Sequence, residues 1–472
     1  MHLPSAVTNS DDSAAGGSTV SPFGLSTTVW SDLERETLDL FRRLLRVDTT
    51  NPPGNETVAA RLLADYFAAA GIDTEIAGEL PGRQNLIARL RGRRDGPTLL
   101  LLGHLDVVPA EPAEWTLPPF SAELRDGYVW GRGALDMKCQ VAAQAVAFSR
   151  LARSGADFAG ELVYAATADE ENGRFCGARW LNAQRPELVR CDYLLNEGGG
   201  YYVTIDGRRL YTFTNGEKGC AQFTIHTRGK GGHGSVPLHR LNAVELMGRV
   251  IGALADHDLP AAVDAQTAAY IDRLVGDGDL AGRLKDPWRA RSALAELHAA
   301  GSETAYLVEP LLGITFSPTI ARAGGQAVNV IPSHAEVTVD CRILPGQTEA
   351  DVRREIDAAL AGLGDAWRFE MVDYIEGNRS SPASPLGDSL RRTLCDMVPE
   401  ADLLPTVLCG FTDSRWFREA QPDLTAYGFC PFFAEDAVAM GDREHAADER
   451  IAASDLPAQA LFVERVVRDL LR

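Results

Sequence analysis

The 472 residues contain no CxxC pair, little basic charge, and no apolar run near the roughly 18–20 residues that a membrane helix needs. The eight cysteines are scattered, so a thiolate zinc site and a disulfide framework are both disfavoured; they read as reduced, mostly buried thiols. Lysine and arginine number 46 against 66 acids, a formal net charge of −20. Nucleic acid and anionic membrane both require basic surface, so neither is expected as a partner. The one basic cluster, RLRGRRDG (89–96), reads as a solvated turn between strands. Residues 1–28 are rich in Ser, Thr, Gly and Ala, and lack the charged start and apolar stretch of a signal peptide. They are expected to be a disordered tail, and the chain to be cytoplasmic.

The whole chain is 45% hydrophobic, ample for two or three domains. From residue 31 helices and strands alternate. SDLE (31–34) resembles a capping box opening a helix with Leu38, Phe41, Leu44 and Leu45 on one face. TVAARLLADYFAAAG (57–71) predicts a second helix, closed by Gly71. PTLLLL (97–102), ELVYAATA (161–168) and CDYLLN (191–196) are short apolar runs, as in strands covered on both faces. Near residue 218 the pattern changes to strict alternation in AQFTIHTR (221–228) and AEVTVDCRI (335–343), a sheet with one wet face. Helices are expected over about 242–256 and after Thr348, where T-x-x-D is a capping pattern. The fold class is therefore α/β: an open mixed sheet flanked by helices, over 29–217 and 379–472, with an inserted two-layer α+β unit over 218–378. Residues 258–312 are helical in pattern and carry no assignable role.

Ligands of α/β sheets bind beyond the carboxyl ends of the strands. After PTLLLLG comes His104-Leu105-Asp106; after ELVYAATA come Asp169, Glu170 and Glu171; after CDYLLN comes Glu197. A further acid, Asp136, lies in GRGALDMK (131–138), where a glycine turn leads into a helix. Any one of these reads equally well as a plain loop residue. Together they bring histidine and carboxylates from three strands to one edge, a donor set that suits zinc, and shared carboxylates suit two adjacent ions. Such ions would neutralise the acid run TADEENG (167–173), whose neighbouring side chains point opposite ways and need not do the same job. Read alone, His445 is a surface histidine in a charged stretch. Arg342 reads equally as an ion-pair partner of Glu336 or Asp340, and Arg415 as structural. His226, His239 and His334 are taken as structural.

Nine segments in order carry a resemblance: GHLDVVP (103–109), GRGALDMK (131–138), TADEENG (167–173), NEGGG (196–200), GGHGSVP (231–237), NVIP (329–332), DCRILPG (340–346), CGFTDSRWF (409–417) and GDREHAADERI (441–451). From about residue 31 the chain resembles the co-catalytic di-zinc peptidases and amidohydrolases that include acetylornithine deacetylase, succinyl-diaminopimelate desuccinylase, aminoacylase, glutamate carboxypeptidase and carboxypeptidase S. The resemblance implies two Zn2+, with Co2+ or Mn2+ as alternatives. His104 and Glu197 would hold one, Glu171 and His445 the other, and Asp136 would bridge them. It implies Asp106 fixing the His104 ring, Glu170 as general base, and a cis bond at Asp136–Met137. It makes 29–217 with 379–472 a catalytic domain and 218–378 a lid and dimerisation domain. His233 of the lid would reach the partner's site in a homodimer, and Asn329 and Arg342 would bind substrate. Thr412–Arg415 is expected to line the pocket, with Arg415 as a substrate contact. The implied activity is hydrolysis of an amide bond beside a free carboxylate, on a small acyl-amino acid or short peptide. A dipeptidase of the same family and a non-catalytic peptide-binding homologue are the alternatives.

Overall fold

A computed structural model describes residues 23–172, 175–205, 207–237, 241–324, 327–441 and 443–472. Residues 1–22 of the expected tail and His239 lie outside these. The tail does not extend to residue 28. The first helix is Thr27–Leu45, capped by the Ser26 side chain, so Ser31 lies inside it and SDLE is not its capping box. Its start is set by packing: the Phe23 ring lies 5.5 Å from both Trp30 and Phe433. The second predicted helix is Glu56–Ala69, and Gly71 follows with φ +73°.

The large sheet runs, in spatial order, Thr74–Ala77, Asn85–Arg91, Ala159–Thr167, Arg94–His104, Tyr193–Asn196, Thr425–Gly428, Arg208–Glu217 and Asn378–Arg379, with Asp402–Leu408 and Tyr202–Ile205 also paired to the Arg208–Glu217 strand. The four strands from Ala159–Thr167 to Thr425–Gly428 are mutually parallel, so their carboxyl ends share one edge. Leu99 to Leu102, Leu162 to Ala166, and Leu194 and Leu195 are all buried, as helices on both faces require. One such helix, Lys138–Arg153, is buried along nearly its whole length.

The second sheet is antiparallel, in the order Thr315–Ala323, His334–Ile343, Gly219–Arg228, Trp367–Ile375. Phe223, Ile225, Val337, Val339 and Cys341 share one core with Val250 and Leu254 of helix Ala243–Asp256, and with Val352, Ile356 and Leu360 of helix Glu349–Leu360. The other face is polar: Gln222 donates to Asp340, and Thr224 meets Thr338. The predicted Thr348–Asp351 capping box is present.

Residues 258–312 fold into four helices around Ile271, Ala281, Leu284, Ala293 and Leu294. They dock on strands of the large sheet and on the crossing between the sheets. Asn215 and Gln266 exchange two hydrogen bonds, Asp264 pairs with Arg379, and Arg273 Nε donates to Asp402 at 2.9 Å. Lys218, buried where the chain passes from one sheet to the other, donates to Pro310 O at 2.9 Å and Gly313 O at 2.7 Å. All eight cysteines are free thiols, six of them buried. Among the described residues no helix is long and apolar enough to cross a membrane.

Candidate metal centre

His104 is the last residue of its strand and is buried. Its Nδ1 lies 3.0 Å from the Asp106 backbone carbonyl and 3.5 Å from the Asp106 carboxylate. The carbonyl, not the carboxylate, is therefore the closer anchor of the ring. The Asp106 carboxylate accepts instead from Asn51 Nδ2 (2.8 Å), Glu170 N (3.1 Å) and Glu171 N (3.0 Å), so it also fixes the acid turn at the end of the neighbouring strand. With Nδ1–H committed to the carbonyl, Nε2 faces the cage, as a ligand nitrogen must.

That nitrogen is 2.9 Å from Asp136 Oδ1 and 3.5 Å from Glu197 Oε2. On the opposite side, His445 Nε2 is 2.9 Å from Asp136 Oδ2 and 3.3 Å from Glu171 Oε2. Asp136 thus turns one oxygen to each histidine. The Asp136–Met137 peptide is cis. Glu197 is held by close backbone approach: a Cβ on Gly428 would sit 1.7 Å from the Glu197 carbonyl oxygen. Glu170 also lies at the cage, its carboxylate grouping with His104 and Glu197.

Three acids of one run do three jobs. Asp169 turns away with φ +63°, accepting from Phe175 N at 2.8 Å and Asn51 Nδ2 at 3.1 Å and pairing with Arg83. Glu171 faces His445, and Glu170 faces the pocket. Sequence reasoning misses Asn51, which ties Asp106 to Asp169, and misses Glu449. Buried Glu449 accepts from Arg132 Nη1 (2.6 Å), Gly133 N (3.1 Å), Leu135 N (2.7 Å) and Asp136 N (3.2 Å), and so holds the loop carrying Asp136.

The cage attracts positive charge. Burial alone would lower the His104 pKa; Glu197, Asp106 and Asp136 overcome it and hold the ring well above its usual value. Hydrogen bonds to Asp136 and Glu171 push His445 up to about 10. Burial drives the Glu170 and Glu197 carboxyls well above their normal range. Glu171 Oε1 is buried with no hydrogen-bond partner among the described residues, an orphaned acceptor that a cation would satisfy. The donors, two imidazoles and several carboxylates, are those divalent metals use, so the residues fit a metal centre.

A cavity of about 630 Å³ opens beside it. Glu170, Glu171, Glu197 and His445 line the cavity together with Arg342, Phe411 and Trp416; of the expected segment Thr412–Arg415, Thr412, Asp413 and Arg415 are in the lining and Ser414 is not. Asp413 accepts from Thr167 Oγ1 at 2.7 Å, and burial raises its pKa to about 7. Arg342 lines the pocket from the polar face of its strand while donating to Asp340 at 3.0 Å, the ion pair that the sequence allowed for it. His233 and Asn329 are not brought to this cavity. They line a separate hollow of about 430 Å³ with His334, and His233 is exposed, its Nδ1 2.8 Å from Ser235 Oγ.

Parallel strands delivering histidine and acids to one edge, beside a second sheet that contributes an arginine, define a metallohydrolase-like architecture. Residues 100–469 match the model of peptidase family M20/M25/M40, and the chain belongs to that family. A succinyl-diaminopimelate desuccinylase of Methylobacterium sp. (strain 4-46) is 28% identical over 446 residues, covering 91% of this chain and 95% of that protein. A probable carboxypeptidase S-like protein of Dictyostelium discoideum is 26% identical over 382 residues, 79% of this chain and 71% of that one. The fold is that of an M20 family metallo-carboxypeptidase of Sulfolobus solfataricus: TM-score 0.69, 19% identity, covering 92% of this chain and 99% of that chain.

Proposed function

We propose that the chain is a two-metal amidohydrolase that cleaves an amide bond beside a free carboxylate, on an N-acyl-amino acid or short peptide. The observation that carries this is Asp136, with His104 on one carboxylate oxygen and His445 on the other. His104 and Glu197 would hold one ion, Glu171 and His445 the other, with Asp136 serving both. Two divalent ions (zinc, with cobalt or manganese as alternatives) would supply there the charge that acidifies water and polarises the scissile carbonyl. Glu170 takes a proton from water as its oxygen attacks the carbonyl carbon, and returns it to the leaving nitrogen. The site suits this: Glu170 lines the cavity, and its desolvated carboxylate is a stronger base than one in water. Arg342 binds the substrate carboxylate.

His233 and Asn329 act on the partner's site in a homodimer formed through the lid. Supporting this, both sit outside their own catalytic cavity, and Val236, Val328 and Val330 beside them are exposed. Eight unpaired thiols fit a reducing, cytoplasmic setting. The test is a panel of N-acetyl-amino acids and dipeptides given to metal-loaded protein. We expect turnover that falls at least ~100-fold in Glu170→Gln with metal retained. Binding without turnover would make the chain a non-catalytic homologue, and cleavage of dipeptides alone would make it a dipeptidase.

A further inference from the structure

Glu217 is the last residue of strand Arg208–Glu217, where the chain leaves the large sheet, and it is 1% exposed. A buried carboxylate persists only when its oxygens are bonded. One oxygen accepts from Thr412 Oγ1 at 2.7 Å and from Arg418 Nη1 at 3.1 Å, and the other from Thr412 N at 3.1 Å. The register partner of Glu217 is Asn378, where the chain returns from the second sheet, and Asn378 Oδ1 takes the same Arg418 Nη1 at 3.3 Å. Arg415 serves the returning segment too, its Nη2 donating to the Glu376 carbonyl at 2.9 Å. Helix Ser414–Ala420 therefore holds both crossings between the sheets, through arginines that are 1% and 9% exposed.

The residues just before this helix belong to the catalytic cavity, which Thr412 and Asp413 line. Asp413 is 4% exposed and accepts from Thr167 Oγ1 at 2.7 Å. Thr167 ends the strand Ala159–Thr167, and Glu170 follows three residues on. Hydrogen bonds thus run from Glu217 to Thr412, then across one peptide to Asp413, and on to the strand end that carries Glu170. The Thr412 hydroxyl is spent in this chain: it donates to Glu217 and accepts from Ser414 N at 3.1 Å, so it braces the turn.

We propose that Glu217 is a positioning residue for Glu170. It fixes the Thr412–Asp413 turn, and Asp413 fixes the end of the strand from which Glu170 reaches the cavity. The proposal rests on the hydrolase reading for the role of Glu170, but the positioning can be measured without turnover.

The experiment compares the zinc-loaded natural protein with Glu217→Gln, Thr412→Val, Thr412→Ser and the double variant Glu217→Gln/Thr412→Val. Hydrolysis of N-acetyl-amino acids and dipeptides is measured beside amide hydrogen exchange. We expect kcat to fall about ten-fold or more in Glu217→Gln and in Thr412→Val, with KM and zinc affinity within about three-fold, because a misplaced group slows the chemical step more than it weakens binding. Thr412→Ser keeps the hydroxyl and should stay within about three-fold of the natural kcat. The double variant should lose no more than about two-fold beyond the worse single, because both changes cut one chain. Exchange at the Glu170 and Glu171 amides should quicken about ten-fold or more in Glu217→Gln while helix Lys138–Arg153 keeps its natural rates. A smaller fall in kcat, or losses that multiply in the double variant, overturns the proposal. So does exchange that quickens equally throughout the chain, which marks a loss of stability alone. Should the natural protein hydrolyse no amide, the hydrolase reading fails and exchange decides the positioning by itself. Should Glu217→Gln fail to fold, Thr412→Val carries the same readouts.

Discussion

Glu449→Gln should be among the most damaging single substitutions away from the cavity. The Glu449 carboxylate satisfies three backbone donors of one loop, at Gly133, Leu135 and Asp136, and one guanidinium, Arg132. The Arg132 and Glu449 side chains are 3% and 1% exposed, so water cannot replace either partner. Each orphaned backbone donor costs about 1–3 kcal/mol, and breaking a buried ion pair from one side about 3–5 kcal/mol. Glutamine keeps one acceptor oxygen and the shape, but sets an NH2 group against N–H donors and removes the charge. A loss of about 3–5 kcal/mol is expected, a large share of a typical total of about 5–15 kcal/mol. Urea unfolding in EDTA reads this without any contribution from bound ions. Because Asp136 N is one of the donors, zinc affinity measured by competition with a chelator should fall about 10–100-fold, as for other residues that hold a ligand from behind. Unfolding within about 0.5 kcal/mol of the natural protein, with unchanged zinc affinity, would refute the positioning role.

Two further outcomes are expected, the first from the proposed homodimer and the second from the burial of Lys218. Mixing inactive Glu170→Ala protomers with inactive His233→Ala protomers should regenerate activity, because one site in each mixed dimer then has both residues. Mixed dimers that stay dead would remove His233 from the partner's site. Burial depresses Lys218 to about 8 from 10.5, so between these values the unfolded chain holds a proton the folded chain has released. Stability of the natural protein should therefore rise relative to Lys218→Met as pH climbs from about 8 to 10.5, by up to about 3 kcal/mol. Parallel stability curves would show that the buried amine does not titrate there.

The residues at the strand ends are legible in the sequence because parallel strands announce themselves as short apolar runs, and the residues just after each run lie on one edge. His104, the Glu170–Glu171 turn and Glu197 are placed in this way. His445 is not: it stands after no apolar run, has φ +60°, and lies 309 residues from the aspartate it contacts. Only the resemblance singles it out. Asn51 and Glu449 stay hidden because their work is hydrogen bonding to loops distant along the chain. The insert over 258–312 shows its helices but not its place, which depends on Gln266, Arg273 and Pro310 meeting Asn215, Asp402 and Lys218. The start of the first helix is hidden too, because SDLE imitates a cap, whereas packing of Phe23 on Trp30 and Phe433 carries the helix back to Ser26.

Metal analysis of the purified chain, with anomalous diffraction to locate the ions, tests the central claim most directly. The account predicts two divalent ions per chain on either side of Asp136, with loss of the His445-side ion in His445→Ala and of both in Asp136→Ala. A single ion, or two ions bound away from Asp136, would contradict it.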